Sequence, residues 1–295
     1  MRKFIAILLS AVFLLSVSVL VVGVTTQPNQ QQNAFSESGV LLFNTSSSES
    51  LNWAGYAVTG NNITNVTGSF VIPPLSTTSS TSVGGGAHAG SSLYKSINGK
   101  GGSGGSSTTS YAAFWVGIDG YNSNTVEQAG VLMEVQNGVA KYSVWYEFYP
   151  AAPVYASWTP APGNNITVYV NYTLSNATFV ATVWDTTIGQ KYVSPYTSVS
   201  GAKRSSAEWI TEAPSSGRTI LPLADFGTAY FGPRYTGSNV GNSATVSGTF
   251  GNIGNLSDSH SVYAINMVQR NGSLKAETSS LYSDESSFYV TWVSS

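Results

Sequence analysis

From Leu51 onward the chain is a succession of short runs rich in Val, Tyr, Phe, Trp and Thr, each bounded by Gly, Asn, Ser or Pro clusters. Helical periodicity is hard to find between so many turn residues, and this is the pattern of an all-β chain. Thirteen runs stand at 53–58, 68–72, 111–118, 127–135, 139–149, 165–173, 178–185, 190–193, 206–212, 226–231, 244–250, 261–269 and 286–293. Thirteen strands are too many for one open sheet, so a two-sheet antiparallel β-sandwich is expected over 51–295. Residues 75–110, Ser/Gly/Thr-rich with Lys100 inside a glycine run, read as a surface loop. They lack the order of a phosphate-binding loop and any following helix.

Ahead of the sandwich, Arg2 and Lys3 precede an apolar stretch from Phe4 to Val24, so residues 1–24 are expected to be an export signal or an N-terminal membrane anchor. Residues 25–50, rich in Gln, Asn and Ser, read as a polar linker or short pro-segment. Export gives meaning to eight Asn-X-Ser/Thr sequons, at Asn44, Asn62, Asn65, Asn165, Asn171, Asn176, Asn255 and Asn271. Composition then narrows the chemistry. Charged residues make up only 9% of the chain, 12 basic against 14 acidic, with a hydrophobic share of 42%. That leaves no basic footprint for nucleic acid. Cysteine is absent, and His88 and His260 are the only histidines, so a thiol nucleophile, a thiolate metal site and a histidine-based hydrolase are excluded or hard to build.

Alternation along strands sorts the remaining candidates. In 111–121, Phe114, Val116 and Ile118 share a core face, while Trp115, Gly117 and Asp119 share the other. In 142–150, Trp145, Glu147 and Tyr149 oppose Tyr146 and Phe148. Two such strands describe a cleft lined by aromatic rings and acids, or two ordinary amphipathic strands. Gln128 sits within an apolar run between Glu127 and Glu134, where an unpaired amide would cost about 1–3 kcal/mol. Farther on, Glu208, Ile210 and Glu212 share one face of 206–212. Two carboxyls at that spacing either share a partly buried site or line a solvated edge.

The blocks NWAG (52–55), FWVGIDG (114–120), QAG (128–130), VWYEFYP (144–150) and AEWITE (207–212) occur in this order. Together with TIGQK (187–191) and LPLADF (221–226) they resemble the glutamic peptidases, or eqolisins, over nearly everything from Asn52 to the C-terminus. The resemblance implies a concanavalin-like sandwich and an exported acid endopeptidase that needs no metal or cofactor. It implies a catalytic dyad of Gln128 and Glu212, with Glu208 as the alternative acid. Trp53, Trp115, Asp119, Trp145, Glu147 and Tyr149 match positions lining the family's substrate cleft. Three positions depart from the pattern: Ala129 within QAG, Leu132 where an aspartate often follows, and Ala213 in place of an acid. The implied partners are polypeptide substrates, the implied state a monomer, and any membrane contact runs through residues 1–24. A carbohydrate-binding or adhesion sandwich is the competing function, since aromatic clefts suit sugars too, and a structural coat domain is a third.

Overall fold

The computed structural model describes residues 43–77 and 109–295. The expected export segment and most of the expected surface loop lie outside those residues. The first half of the chain forms β1 (Thr45–Ser50), β2 (Trp53–Thr59), β3 (Asn65–Val71), β4 (Thr109–Ile118), β5 (Val126–Gln136), β6 (Val139–Tyr149), β7 (Val154–Tyr155), β8 (Asn165–Thr173) and β9 (Thr178–Asp185). It continues with β10 (Gln190–Val193), β11 (Ser206–Glu212), β12 (Ser215–Ser216), β13 (Thr219–Ile220), β14 (Thr228–Phe231), β15 (Ser243–Val246), β16 (Thr249–Asn252), β17 (Ser261–Val268), β18 (Leu274–Thr278) and β19 (Phe288–Trp292). Two single-turn helices, Pro233–Thr236 and Ile253–Leu256, are the helical elements among the described residues.

One layer runs β1–β17–β2–β11–β4–β5–β6–β7, antiparallel except for the parallel pair β1/β17. The other runs β10–β9–β8–β3–β14–β19–β18, and β18 also joins β17 across a register shift. The expected two-sheet sandwich is therefore what the chain forms. Phe114, Val116 and Ile118 of β4 lie with Phe70, Val168, Phe231 and Val290 in one buried cluster between the layers. The rings of Phe70 and Phe114 stand 5.9 Å apart, and those of Phe114 and Phe231 5.7 Å. Each such ring, fully withdrawn from water, contributes about 1.5–3 kcal/mol. Trp209 adds a polar tie, its Nε1 donating to the Thr67 carbonyl at 2.7 Å.

Two expectations are corrected. Thr45–Ser50, read as the end of a linker, is an edge strand whose residues pair one-for-one with 262–267 of β17. The run 244–250 is a hairpin, β15 and β16, because Ser247 and Gly248 both take positive φ (52° and 85°) and reverse the chain.

Gly130 of β5 marks the tightest approach inside the first layer. A Cβ built there would lie 1.9 Å from the Phe114 carbonyl oxygen, a backbone atom with no room to retreat. Gly130→Ala should therefore cost more than about 3 kcal/mol, beyond the usual range for overpacking. Urea denaturation checks this, and an unchanged midpoint would show that the layer can relax.

Candidate active site

The outer face of the first layer is not a solvent face. Trp53, Ala57, Ala113, Trp115, Val126, Trp145, Ile210 and Ile265 form a second buried cluster there. Strand register arranges the polar groups of this face in rows. Glu208 stands opposite Gly117, Gly117 opposite Gln128, and Gln128 opposite Glu147. Two positions along, Ile210, Trp115, Gly130 and Trp145 form the next row. Two further along come Glu212, Ala113, Leu132 and Ser143, with Trp53 opposite Glu212 on β2. The small residues are needed: a Cβ on Gly117 would press at 3.1 Å on Gln128 and on the Trp115 ring.

Glu212 is 2% exposed, and its carboxyl is gripped from two sides. Trp115 Nε1 donates to Oε2 at 2.8 Å, and Asn52 Nδ2 donates to Oε1 at 3.3 Å. Asn52 is itself held, its Oδ1 accepting from Ser50 Oγ at 3.2 Å. Trp53 packs edge-on against Trp115 with ring centroids 4.9 Å apart. Its Nε1 is buried outside hydrogen-bonding geometry, though close enough for its field to act on the carboxylate. Burial pushes Glu212 up to about 7, while the Trp115, Trp53 and Asn52 donors oppose the rise.

Gln128 is held separately. Its Nε2 donates to Glu147 Oε2 at 2.8 Å, and its Oε1 is buried with no partner. Burial, then repulsion from Glu212, lifts Glu147 to about 9, so it accepts the Gln128 bond as a neutral acid across the acidic range. Trp145 is buried beside them, and Tyr149 is half-buried against the same cluster.

Glu208, at the far end of the first row, and Asp119, just past the end of β4, behave differently. Glu208 is wholly buried; its Oε1 accepts from the Tyr121 amide at a long 3.4 Å and its Oε2 has no partner. Burial, opposed by the nearby Ser206 hydroxyl and the Tyr121 amide and reinforced by Asp119 and Glu127, raises it well above the ordinary carboxyl range. Asp119 is fully engaged by a loop: Oδ2 accepts from the Lys203 and Arg204 amides at 2.7 Å each, and Oδ1 from the Ser205 amide and hydroxyl at 2.8 and 3.0 Å. The carboxylate positions that loop and has no lone pair directed toward Gln128 or Glu212. Its positive φ of 68° breaks the alternation that suggested a cleft-facing acid.

Thus Gln128, Glu212, Trp53, Trp115, Trp145 and Glu147 are brought to one patch, with Tyr149 at its margin. Asp119 is drawn away, and Glu208 is sealed with the Tyr121 amide as its one hydrogen-bond donor. Sequence reasoning missed Asn52, although it stands in the NWAG block. Nothing in the sequence signalled it, because Asn52 meets Glu212 only through the pairing of β2 with β11.

Residues 51–292 match the Peptidase A4 family. Aspergillopepsin-2 of Aspergillus niger is 35% identical over 202 residues, spanning 66% of this chain and 68% of that protein. The fold is similar to scytalido-glutamic peptidase, solved with a transition state analog inhibitor, at a TM-score of 0.58 and 21% identity over 82% of this chain and 98% of that one. It is also similar to aspergilloglutamic peptidase from Aspergillus niger, at a TM-score of 0.52 and 31% identity over 62% of this chain and 99% of that one.

Proposed function

Since the chain belongs to the Peptidase A4 family and is a glutamic-type endopeptidase, we propose that Glu212 is its general base and acid and Gln128 the donor to the oxyanion. One contrast carries the assignment. Glu212 is the buried glutamate of this face whose carboxylate is met by two side-chain N–H donors, whereas Glu208 is met by a single long backbone contact. A carboxylate so supported can ionise in a dry site and take a proton.

The steps follow from these atoms. Glu212 removes a proton from a water as its oxygen attacks the peptide carbonyl carbon. Negative charge moves to the carbonyl oxygen, where the Nε2 proton of Gln128 not used by Glu147 stabilises it. The unpartnered Gln128 Oε1 is free to accept from the attacking water. Glu212 then passes its proton to the amide nitrogen, the C–N bond breaks, and the carboxylate is regenerated. Glu147, neutral at working pH, fixes the amide so that its remaining proton points at the developing charge.

Polypeptides are the substrates, and residues 1–24 support action outside the cytoplasm. Trp53 and Trp115 are wholly buried and packed edge to face, which leaves neither of these two rings open for a sugar and weakens the glycan-binding alternative at this face.

The test is hydrolysis of a denatured protein followed against pH, in wild type and in Trp115→Phe. The ascending limb of kcat/KM reports Glu212 in the free enzyme, and that of kcat reports the complex. Water and substrate relieve the desolvation of Glu212, so the kcat limb should lie at the lower pH. Losing the Trp115 donor removes a charge-assisted bond of about 1.5–3 kcal/mol, so both limbs should move about 1–2 pH units upward. Limbs that stay in place would separate Glu212 from the rate.

A further inference from the structure

A cavity of about 640 Å³ lies at the end of the first layer, where β17 stops and the Leu51 turn leads into β2. Its volume is that of a small-molecule site. Leu51, Ile220, Leu221 and Val268 give it an apolar wall, and Arg270 and Lys275 supply its positive charge. Arg270 is exposed at the rim. Lys275 is 8% exposed, and its ammonium donates to the Leu51 carbonyl alone among the described residues, at a long 3.4 Å.

That leaves the ammonium under-satisfied. It carries three donors, and burying such a charge without an anion is expensive. The burial is expressed in the group itself, since desolvation lowers the Lys275 amine below its ordinary value. Glu49, which lines an adjoining cavity together with Arg270, is solvent-exposed and bonded to neither cation. Gln269 Nε2 donates to an oxygen of the Ser295 carboxylate at 3.2 Å; that acid also lines the cavity but forms no ion pair with Lys275 or Arg270, so two cations face one carboxylate and the cavity keeps an excess of positive charge.

We infer that this cavity binds a carboxylate carrying an aliphatic group, the carboxylate between Lys275 and Arg270 and the aliphatic group against Leu51, Ile220, Leu221 and Val268. A bare inorganic anion would leave the apolar wall uncovered, and a neutral ligand would leave Lys275 unpaired. Two sources share this chemistry: the C-terminus of a peptide ending in an aliphatic residue, and a free aliphatic acid. The site is separate from the dyad, yet Leu51 directly precedes Asn52, which holds Glu212.

Isothermal titration of the full chain at pH 6 with N-acetyl-leucine, octanoate and the uncharged N-acetyl-leucinamide tests the assignment. At least one carboxylate should saturate a single site and bind at least about ten-fold more tightly than the amide, a difference of about 1.4 kcal/mol. Preference for N-acetyl-leucine identifies a peptide terminus, and preference for octanoate a free acid. Lys275→Met should abolish binding. Arg270→Ala, a change at an exposed position that leaves the fold untouched, should weaken it at least about ten-fold. Loss of binding in Arg270→Ala also separates this cavity from product binding at the dyad, because Arg270 lines the cavity and not the site. No saturation by either carboxylate, equal affinity for the amide, or wild-type binding in Arg270→Ala overturns the assignment.

Discussion

Glu212→Gln should leave a folded protein whose kcat/KM for peptide hydrolysis is lower by at least about 10³-fold, the scale of a lost general base. The substitution is nearly isosteric. The glutamine oxygen can still accept from Trp115 Nε1, so the indole and the strand register keep their places. What disappears is the ability to take a proton from water and to return one to the amide nitrogen. Glu208→Gln is the matched control on the same strand. Glu208 meets one backbone amide at 3.4 Å and is sealed from side-chain donors, so its loss should lower kcat/KM by less than about ten-fold. Steady-state kinetics on both variants, with denaturation curves to show that each is folded, decide between the two carboxyls. Equal losses, or a Glu212→Gln enzyme at the wild-type rate, would sink the assignment.

The faces of this site were legible because adjacent strands repeat the same division. Phe114, Val116 and Ile118 enter the core while Trp115 and Gly117 face the site, and Phe148 and Glu147 divide in the same way. Alternation works wherever φ stays negative and both faces are buried in different chemistry. It fails at Asp119, where a positive φ turns the side chain toward the 203–205 amides. It fails for β1 as well, because TSSSES carries no apolar rhythm and is held by backbone pairing to β17. Asn52 was beyond reach for another reason: its bond to Glu212 spans 160 positions, and only the β2/β11 register makes the two neighbours. The separation of Glu212 from Glu208 was equally hidden. Both sit on one face at i and i+4, and their difference lies in the donors that other strands deliver.

The low charge count makes the pH dependence of folding the second large effect. Four glutamates are buried on or beside the first layer with folded-state values above their ordinary 4.5: Glu212 at about 7, Glu127 and Glu147 at about 9, and Glu208 well above normal. Burial is the first cause in each. The groups facing them add to it: Asp119 faces Glu127, Glu212 faces Glu147, and both Asp119 and Glu127 face Glu208. Neither oxygen of Glu127 has a hydrogen-bond partner, Thr125 included. For a carboxyl raised on folding, the native state holds the proton over the window between the unfolded and folded values. Stability is therefore full below about 4.5 and falls as pH rises, by about 1.4 kcal/mol per pH unit for each group still titrating. Glu127 alone costs about 3 kcal/mol by pH 7, and the others act in the same direction. At roughly 2–4 °C per kcal/mol, Tm should be highest near pH 4 and at least about 10 °C lower at pH 7. Glu127→Gln should flatten that slope by one proton's worth, raising Tm at pH 7 more than at pH 4. Scanning calorimetry across this range is the check, and a Tm that is level or rises from pH 4 to pH 7 would show that these carboxyls reach water or a cation in the folded state. Few surface charges are then available to reverse the trend, since 12 basic and 14 acidic side chains are all the chain has. The same burial that raises Glu212 toward neutrality for proton transfer thus makes the fold most stable in acid.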